Sequence, residues 1–172
     1  FGFNVNLSPV LDISCNGDLE NSLKGRCWGL TPKEVCEQAG RFTAAMRAEG
    51  VLSCGKHFPG YSAATVDPHH AMPVIEKSIG ELEAWELRPF RELLGQMDVL
   101  MAAHAAYPCW EPENRHWPAS LSQRVIGDLL RGEMGFDRLL MTDDLDMGAV
   151  LDQMAFSEIV RHALAAGNDM LM

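Results

Sequence analysis

Residues 31–60 read TPKEVCEQAGRFTAAMRAEGVLSCGKHFPG, and this one stretch holds a helix, a strand and a loop in turn. Thr31 is an N-cap residue, Pro32 stands at the first helical position, and Glu34 completes a capping box. Val35, Ala39, Phe42 and Met46 follow at helical spacing, with Gly50 as a C′ stop, so the pattern predicts a helix from about Pro32 to Glu49. From Val51 to Lys56 the period changes to that of a short strand, and a Gly/Pro/His-rich loop from Phe58 to Pro73 ends it.

Working outward, the same alternation recurs. Upstream, Phe3 to Val10 is a strand-like run. Downstream, Ser78-Ile79-Gly80-Glu81 is a second capping box, opening a helix whose inner face is Leu82, Trp85, Phe90 and Leu93 and which Pro89 should bend or restart. Asp98 to Ala103 reads as a strand, Tyr107 to Pro118 as a polar loop, Ser122 to Met134 as a helix closed by Gly135, and Leu139 to Thr142 as a strand. Phe156 to Ala165 is helical, and Gly167-Asn168 turns into a last strand, Met170 to Met172. Strands and helical connections in strict alternation are the mark of βαβ units, hence an α/β fold with a parallel sheet in sequential order. Residues 1–172 are expected to form a single domain. The chain ends inside a strand, so the sheet should have open edges for the rest of a longer chain, or another chain, to cover.

The formal charge of −10, with the 14 Lys and Arg scattered, argues against nucleic acid and anionic lipid as partners. No apolar run approaches the roughly 20 residues of a membrane span. Phe1-Gly2-Phe3 lacks a basic n-region, so no signal peptide is expected. The five cysteines, Cys15, Cys27, Cys36, Cys54 and Cys109, are odd in number and lack C-x-x-C spacing, which fits reduced thiols in a cytoplasmic protein.

In parallel α/β folds, functional groups collect at the C-terminal ends of strands. Lys56-His57, His104 and Asp143-Asp144 all fall there. Asp143 and Asp144 can be a nucleophile with a helper, a metal pair or a helix N-cap. Asp67, two residues before His69, can accept the imidazole N–H and form a proton-transfer dyad, or the two can be incidental in a solvated loop. His57, His69, His70 and His104 with Asp143 offer zinc-type donors, but no H-E-x-x-H spacing accompanies them, so no metal is expected.

The run Lys56-His57-Phe58-Pro59-Gly60, followed by Asp67-Pro68-His69, Thr142-Asp143-Asp144-Leu145 and Ala166-Gly167-Asn168-Asp169-Met170-Leu171, resembles the bacterial β-N-acetylglucosaminidases of glycoside hydrolase family three. Phe3 to Ile13 is similar to that family's third barrel strand. The resemblance implies part of a (β/α)8 barrel and a retaining mechanism through a covalent glycosyl-enzyme. It makes Asp143 the nucleophile, His69 the acid/base and Asp67 its partner. Lys56, His57 and Arg26 become sugar-binding residues, and His104, from its own strand-end position rather than from the resemblance, is expected to bind substrate beside them. The implied substrate is a saccharide ending in N-acetylglucosamine, from cell-wall peptidoglycan, with no cofactor. A neutral histidine would not repel an anionic acceptor, so transfer to phosphate as well as water is open.

Four departures stand out. Tyr61-Ser62 replaces the usual His-Gly after the K-H-F-P-G motif, and Pro68 replaces the serine of D-S-H. Asp146 stands where serine is usual, and Arg26 lies one residue off the family spacing. Strands one, two and eight of the barrel have no counterpart, which leaves an inactive fragment with weak or no sugar binding as the alternative.

Overall fold

The computed structural model describes residues 2–14 and 21–172; Phe1 and Cys15, on which the expectations about a leader and a thiol partly fall, lie outside the described residues. Among the described residues, β1 (Val5–Asn6), β2 (Leu52–Phe58), β3 (Val99–Ala102) and β4 (Leu139–Thr142) form one sheet in the order β1-β2-β3-β4. Each neighbouring pair is parallel. Parallel neighbours need long crossovers. Helix α1 (Pro32–Ala48) joins β1 to β2, α2 (Ile79–Ala84) and α3 (Arg88–Leu93) join β2 to β3, and a π-helix (Arg124–Glu133) joins β3 to β4. Helices α4 (Gly148–Leu151) and α5 (Phe156–Ala166) follow β4. The architecture is the expected α/β one, and the sheet is not closed.

Local chemistry sets the element ends. Thr31 Oγ1 accepts the Glu34 N–H at 3.2 Å to start α1, but Glu34 Oε2 accepts the Leu30 N–H at 2.7 Å rather than that of Thr31, so the expected capping box is one-sided there; the reciprocal Ser78–Glu81 capping box starts α2. The helix expected from Ser78 onward is two helices. The Leu87 N–H reaches back to the Leu82 carbonyl at 2.8 Å, and Pro89 enters α3 in its first turn, where its missing N–H costs nothing.

Two strand expectations need correction. In the run Phe3 to Val10 regular pairing covers only Val5 and Asn6; beyond them the Cys54 N–H reaches the Ser8 carbonyl at 2.9 Å and Val10 makes an isolated bridge to Lys56. The last run, Met170 to Met172, lies parallel to β4 but makes one bridge, Met141 to Met170. Its Met172 N–H goes to the Thr142 hydroxyl at 3.1 Å instead of a backbone carbonyl, which interrupts the ladder.

The core lies between the sheet and the crossover helices. Val35 and Ala39 of α1, Phe90 and Leu93 of α3, and Ile126, Leu129 and Leu130 of the π-helix bury against Phe58, Leu100 and Leu140. Phe58 and Phe90 meet edge to face with ring centroids 5.4 Å apart. Leu100 is fully buried in the middle of β3. Leu100→Ala is expected to cost about 2–5 kcal/mol. Urea unfolding checks this, as a lower midpoint at unchanged slope.

Both flanks of the sheet remain apolar and open. Val5 and Leu7 are exposed beside β1, as are Leu164, Met170 and Met172 beyond β4. Among the described residues no helix is long and apolar enough to cross a membrane.

Candidate active site

The C-terminal end of β2 organises the site. Lys56 pairs with Met101 and Phe58 with Ala102, so His57 is an extra residue in its strand, and such a bulge re-aims a side chain. The chain leaving β1 runs alongside β2, held by the Lys56 N–H on the Pro9 carbonyl at 3.1 Å. That path brings the buried Asp12 against His57. One Asp12 oxygen accepts both the His57 backbone N–H at 3.0 Å and its Nδ1–H at 2.7 Å; the other accepts the Tyr61 N–H at 2.8 Å. A carboxylate can only accept, so Nδ1 carries the proton and Nε2 is the atom left to act. Nε2 lies 4.0 Å from Asp143 Oδ2, and the Asp143 side chain is 19% exposed.

Lys56 and Arg26 bring positive charge to the same end. Burial, then the Arg26 cation, pushes the Lys56 ammonium below its usual pKa, while Cys54, Asp143 and Asp12 partly restore it. Arg26 is exposed and donates to the Ser22 carbonyl at 2.9 Å. Ser22 Oγ shares a 2.8 Å hydrogen bond with the Tyr61 hydroxyl, and Tyr61 lies against the His57 ring with centroids 4.9 Å apart. Burial, followed by the charge of Asp12, pushes the Tyr61 phenol well up, so it keeps its proton.

His104 is placed differently from expectation. It is 1% exposed, with Nδ1 at 2.7 Å from Ser120 Oγ and Nε2 at 3.0 Å from the Asp144 carbonyl. Burial pushes its pKa down, so it is neutral; Nε2–H donates to the carbonyl and Nδ1 accepts the serine proton. Both nitrogens are thus engaged inside the protein, and neither is left for a sugar hydroxyl. Its contact is with the backbone of the Asp143-Asp144 turn.

The segment 60–73 is anchored at several points. Tyr61, Ser62, Ala64, Pro68 and Pro73 are buried, and Ser62 Oγ accepts the Ile13 N–H at 2.8 Å. At its crown, Asp67 Oδ1 accepts the His69 Nδ1–H at 2.6 Å and the His69 backbone N–H at 2.9 Å. Burial alone would raise the Asp67 carboxyl, but these two bonds outweigh it and hold the pKa below the usual value. The His69 side chain is 57% exposed. The crown is tied to the chain beyond β4: Gly148 N–H donates to the His69 carbonyl at 3.2 Å and Ala149 N–H to the Pro68 carbonyl at 3.1 Å.

The geometry thus joins Arg26, Lys56, His57 and Asp143 at one end of the sheet, holds Asp67 and His69 as a pair on the loop that follows β2, and turns His104 inward. Asp12 was missed by motif reading, although a single acid inside the apolar run Val10-Leu11-Asp12-Ile13 was a signal. Asp12→Ala would strand three donors, two from His57 and one from Tyr61. The expected cost is at least about 3 kcal/mol, measured by urea unfolding. A loss below about 1 kcal/mol would mean that the carboxylate does not hold the turn.

Among the described residues no cluster of three or more His, Cys, Asp or Glu side chains is arranged to hold a metal ion. Cys36, Cys54 and Cys109 are free thiols.

Residues 1–172 match the domain described as the glycosyl hydrolase family 3 N terminal domain. A β-hexosaminidase from Pseudomonas aeruginosa is 40% identical over 172 residues, covering 98% of this chain and 49% of its own length. A solved family 3 β-N-acetylglucosaminidase from Paenibacillus sp. superposes with a TM-score of 0.90 at 37% identity, covering 98% of this chain and 32% of that one. The β-N-acetylglucosaminidase from Thermotoga maritima gives 0.84 at 33% identity, covering 99% and 35%. The chain spans about half the length of the curated relatives it matches.

Proposed function

The chain belongs to glycosyl hydrolase family 3, and on that premise we propose that it carries the catalytic centre of a retaining exo-β-N-acetylglucosaminidase acting on terminal N-acetylglucosamine of cell-wall fragments. The observation that carries the reading is the placing of Asp143 at the end of β4, facing a histidine whose other nitrogen is fixed by a buried carboxylate. Relatives named β-hexosaminidase and β-N-acetylglucosaminidase support the sugar class.

In this scheme an Asp143 oxygen attacks the anomeric carbon as the bond to the leaving oxygen breaks, and His69 delivers its proton to that oxygen. The products are a glycosyl–Asp143 ester and the free aglycone. Water then attacks the same carbon from the face the aglycone left, His69 takes its proton, and Asp143 departs as carboxylate. Two inversions give net retention. Asp67 accepts the Nδ1–H of His69, leaving Nε2 as the proton-carrying atom. Lys56, Arg26 and His57 Nε2 bind sugar hydroxyls. His104 is assigned to hold the Asp143-Asp144 turn rather than to touch sugar. No cofactor or metal takes part.

The open apolar flanks of the sheet are assigned to further strands of the same barrel, and a chain of this length alone is expected to be weakly active at best. Cytoplasmic location belongs to the same proposal and is supported by the free thiols Cys36, Cys54 and Cys109. The test uses the full-length protein that carries this chain and nitrophenyl β-N-acetylglucosaminide. Nitrophenol release with the β-anomer as the first product, followed by proton NMR, is the expected result. Release of the α-anomer first would overturn the retaining scheme.

A further inference from the structure

Gly148 approaches the loop that bears His69 so closely that a Cβ there would force the loop to give by a few tenths of an ångström. Its missing Cβ would lie 3.0 Å from the His69 carbonyl oxygen and 3.2 Å from that of His70. Gly148 is not among the glycines with positive φ, so proximity rather than backbone conformation calls for glycine here. The approach lets two N–H groups, those of Gly148 and Ala149, seat on the carbonyls of His69 and Pro68. Pro68 has no N–H of its own, yet it is buried and its carbonyl is used.

The strap that supplies these donors also carries Asp143, five residues before Gly148. It is fixed along its length. The Asp143 N–H binds the Ala102 carbonyl at 3.1 Å, the Leu145 N–H binds the Met172 carbonyl at 3.0 Å, and Leu145, Met147, Ala149 and Val150 are buried. A stiff segment thus has the attacking carboxylate at one end and the seat of the acid/base loop at the other.

We propose that Gly148 is a positioning residue for proton transfer: its bare Cα lets the loop seat on the strap, which sets where His69 stands relative to Asp143. The inference rests on His69 being the acid/base, and its test separates the two. Gly148→Ala inserts a methyl group against the His69 carbonyl and displaces the loop by a few tenths of an ångström or more. For an alkyl N-acetylglucosaminide, whose leaving group needs a proton, kcat/KM should fall on the order of 10²-fold, the scale of a misplaced catalytic group. For the nitrophenyl glycoside, which needs no proton, it should fall far less.

The decisive readout is the double variant. If Gly148 acts only through His69, adding Gly148→Ala to His69→Ala should produce no further loss on the alkyl glycoside. Multiplying losses, or equal losses on both substrates from Gly148→Ala alone, would overturn the positioning role. If His69→Ala itself fails to discriminate the substrates, the acid/base assignment falls rather than the seat. Should Gly148→Ala not fold, amide hydrogen exchange in the unmodified full-length protein decides. Slow exchange at Gly148 and Ala149 is expected, and exchange at the rate of an open loop would show that the seat does not exist.

Discussion

Asp143→Asn is expected to lower kcat on nitrophenyl N-acetylglucosaminide by about 10⁴-fold or more, the scale seen when a covalent nucleophile is removed. The amide is nearly isosteric and can still accept the Asp144 N–H that now binds Asp143 Oδ1 at 3.0 Å, so the turn should survive. Thermal unfolding should therefore move little while turnover collapses. The two effects separate because the carboxylate is only lightly tied to the fold: besides that local N–H, it stands 4.0 Å from His57 Nε2 and within the field of the Lys56 ammonium.

A positive test of the nucleophile role comes from Asp143→Ala with added azide. Azide can occupy the vacated space and displace the nitrophenolate in a single step. One inversion then gives the α-glycosyl azide, whereas any route through an intact covalent intermediate gives the β-anomer. Formation of the α-azide identifies Asp143 as the atom source of the first displacement. Residual activity within about tenfold of the unmodified protein would instead place Asp143 among ordinary turn residues.

What the sequence disclosed follows the range of the interactions. Helix α1 was readable because its cap, first-turn proline and apolar stripe all lie within residues 31–50. Strand β4 was readable to its ends, Leu139 and Thr142, because a buried parallel strand is a short unbroken apolar run. The final run was over-read, since whether Met172 pairs by backbone or meets the Thr142 hydroxyl depends on a residue 30 positions away. Helix α4 escaped notice because four residues carry no period.

The site divides along the same line. Lys56, His57 and Asp143 sit where strands end, a local property. Asp12 is tied to His57 across 45 positions, and His104 binds the Asp144 carbonyl across 40, so neither role is written near the residue itself. The anchoring of the 60–73 loop was equally out of reach. Its tether to Gly148 and Ala149 consists of backbone groups, which every sequence contains and no motif records.

His69→Ala should separate substrates by their leaving groups. An alkyl oxygen departs as a strongly basic alkoxide unless it is protonated in the transition state, so the loss should reach about 10²–10⁴-fold, the usual worth of a general acid. Nitrophenolate departs unaided, and glycosylation with that substrate should be nearly unchanged. The second step still needs a base to activate water, so the glycosyl-enzyme should accumulate and a burst of nitrophenol should precede a slow steady state. Azide needs no base; added to His69→Ala it should accelerate the steady state and yield the β-glycosyl azide, retained because Asp143 is still present. Asp67→Asn should reproduce a weaker form of this pattern, because the amide can present its NH₂ to Nδ1 and turn the imidazole to the wrong tautomer. Equal losses on alkyl and nitrophenyl substrates, with no burst, would assign the proton to another group. The exposed ring of His69, held by Asp67 at 2.6 Å, would then be an ordinary loop pair.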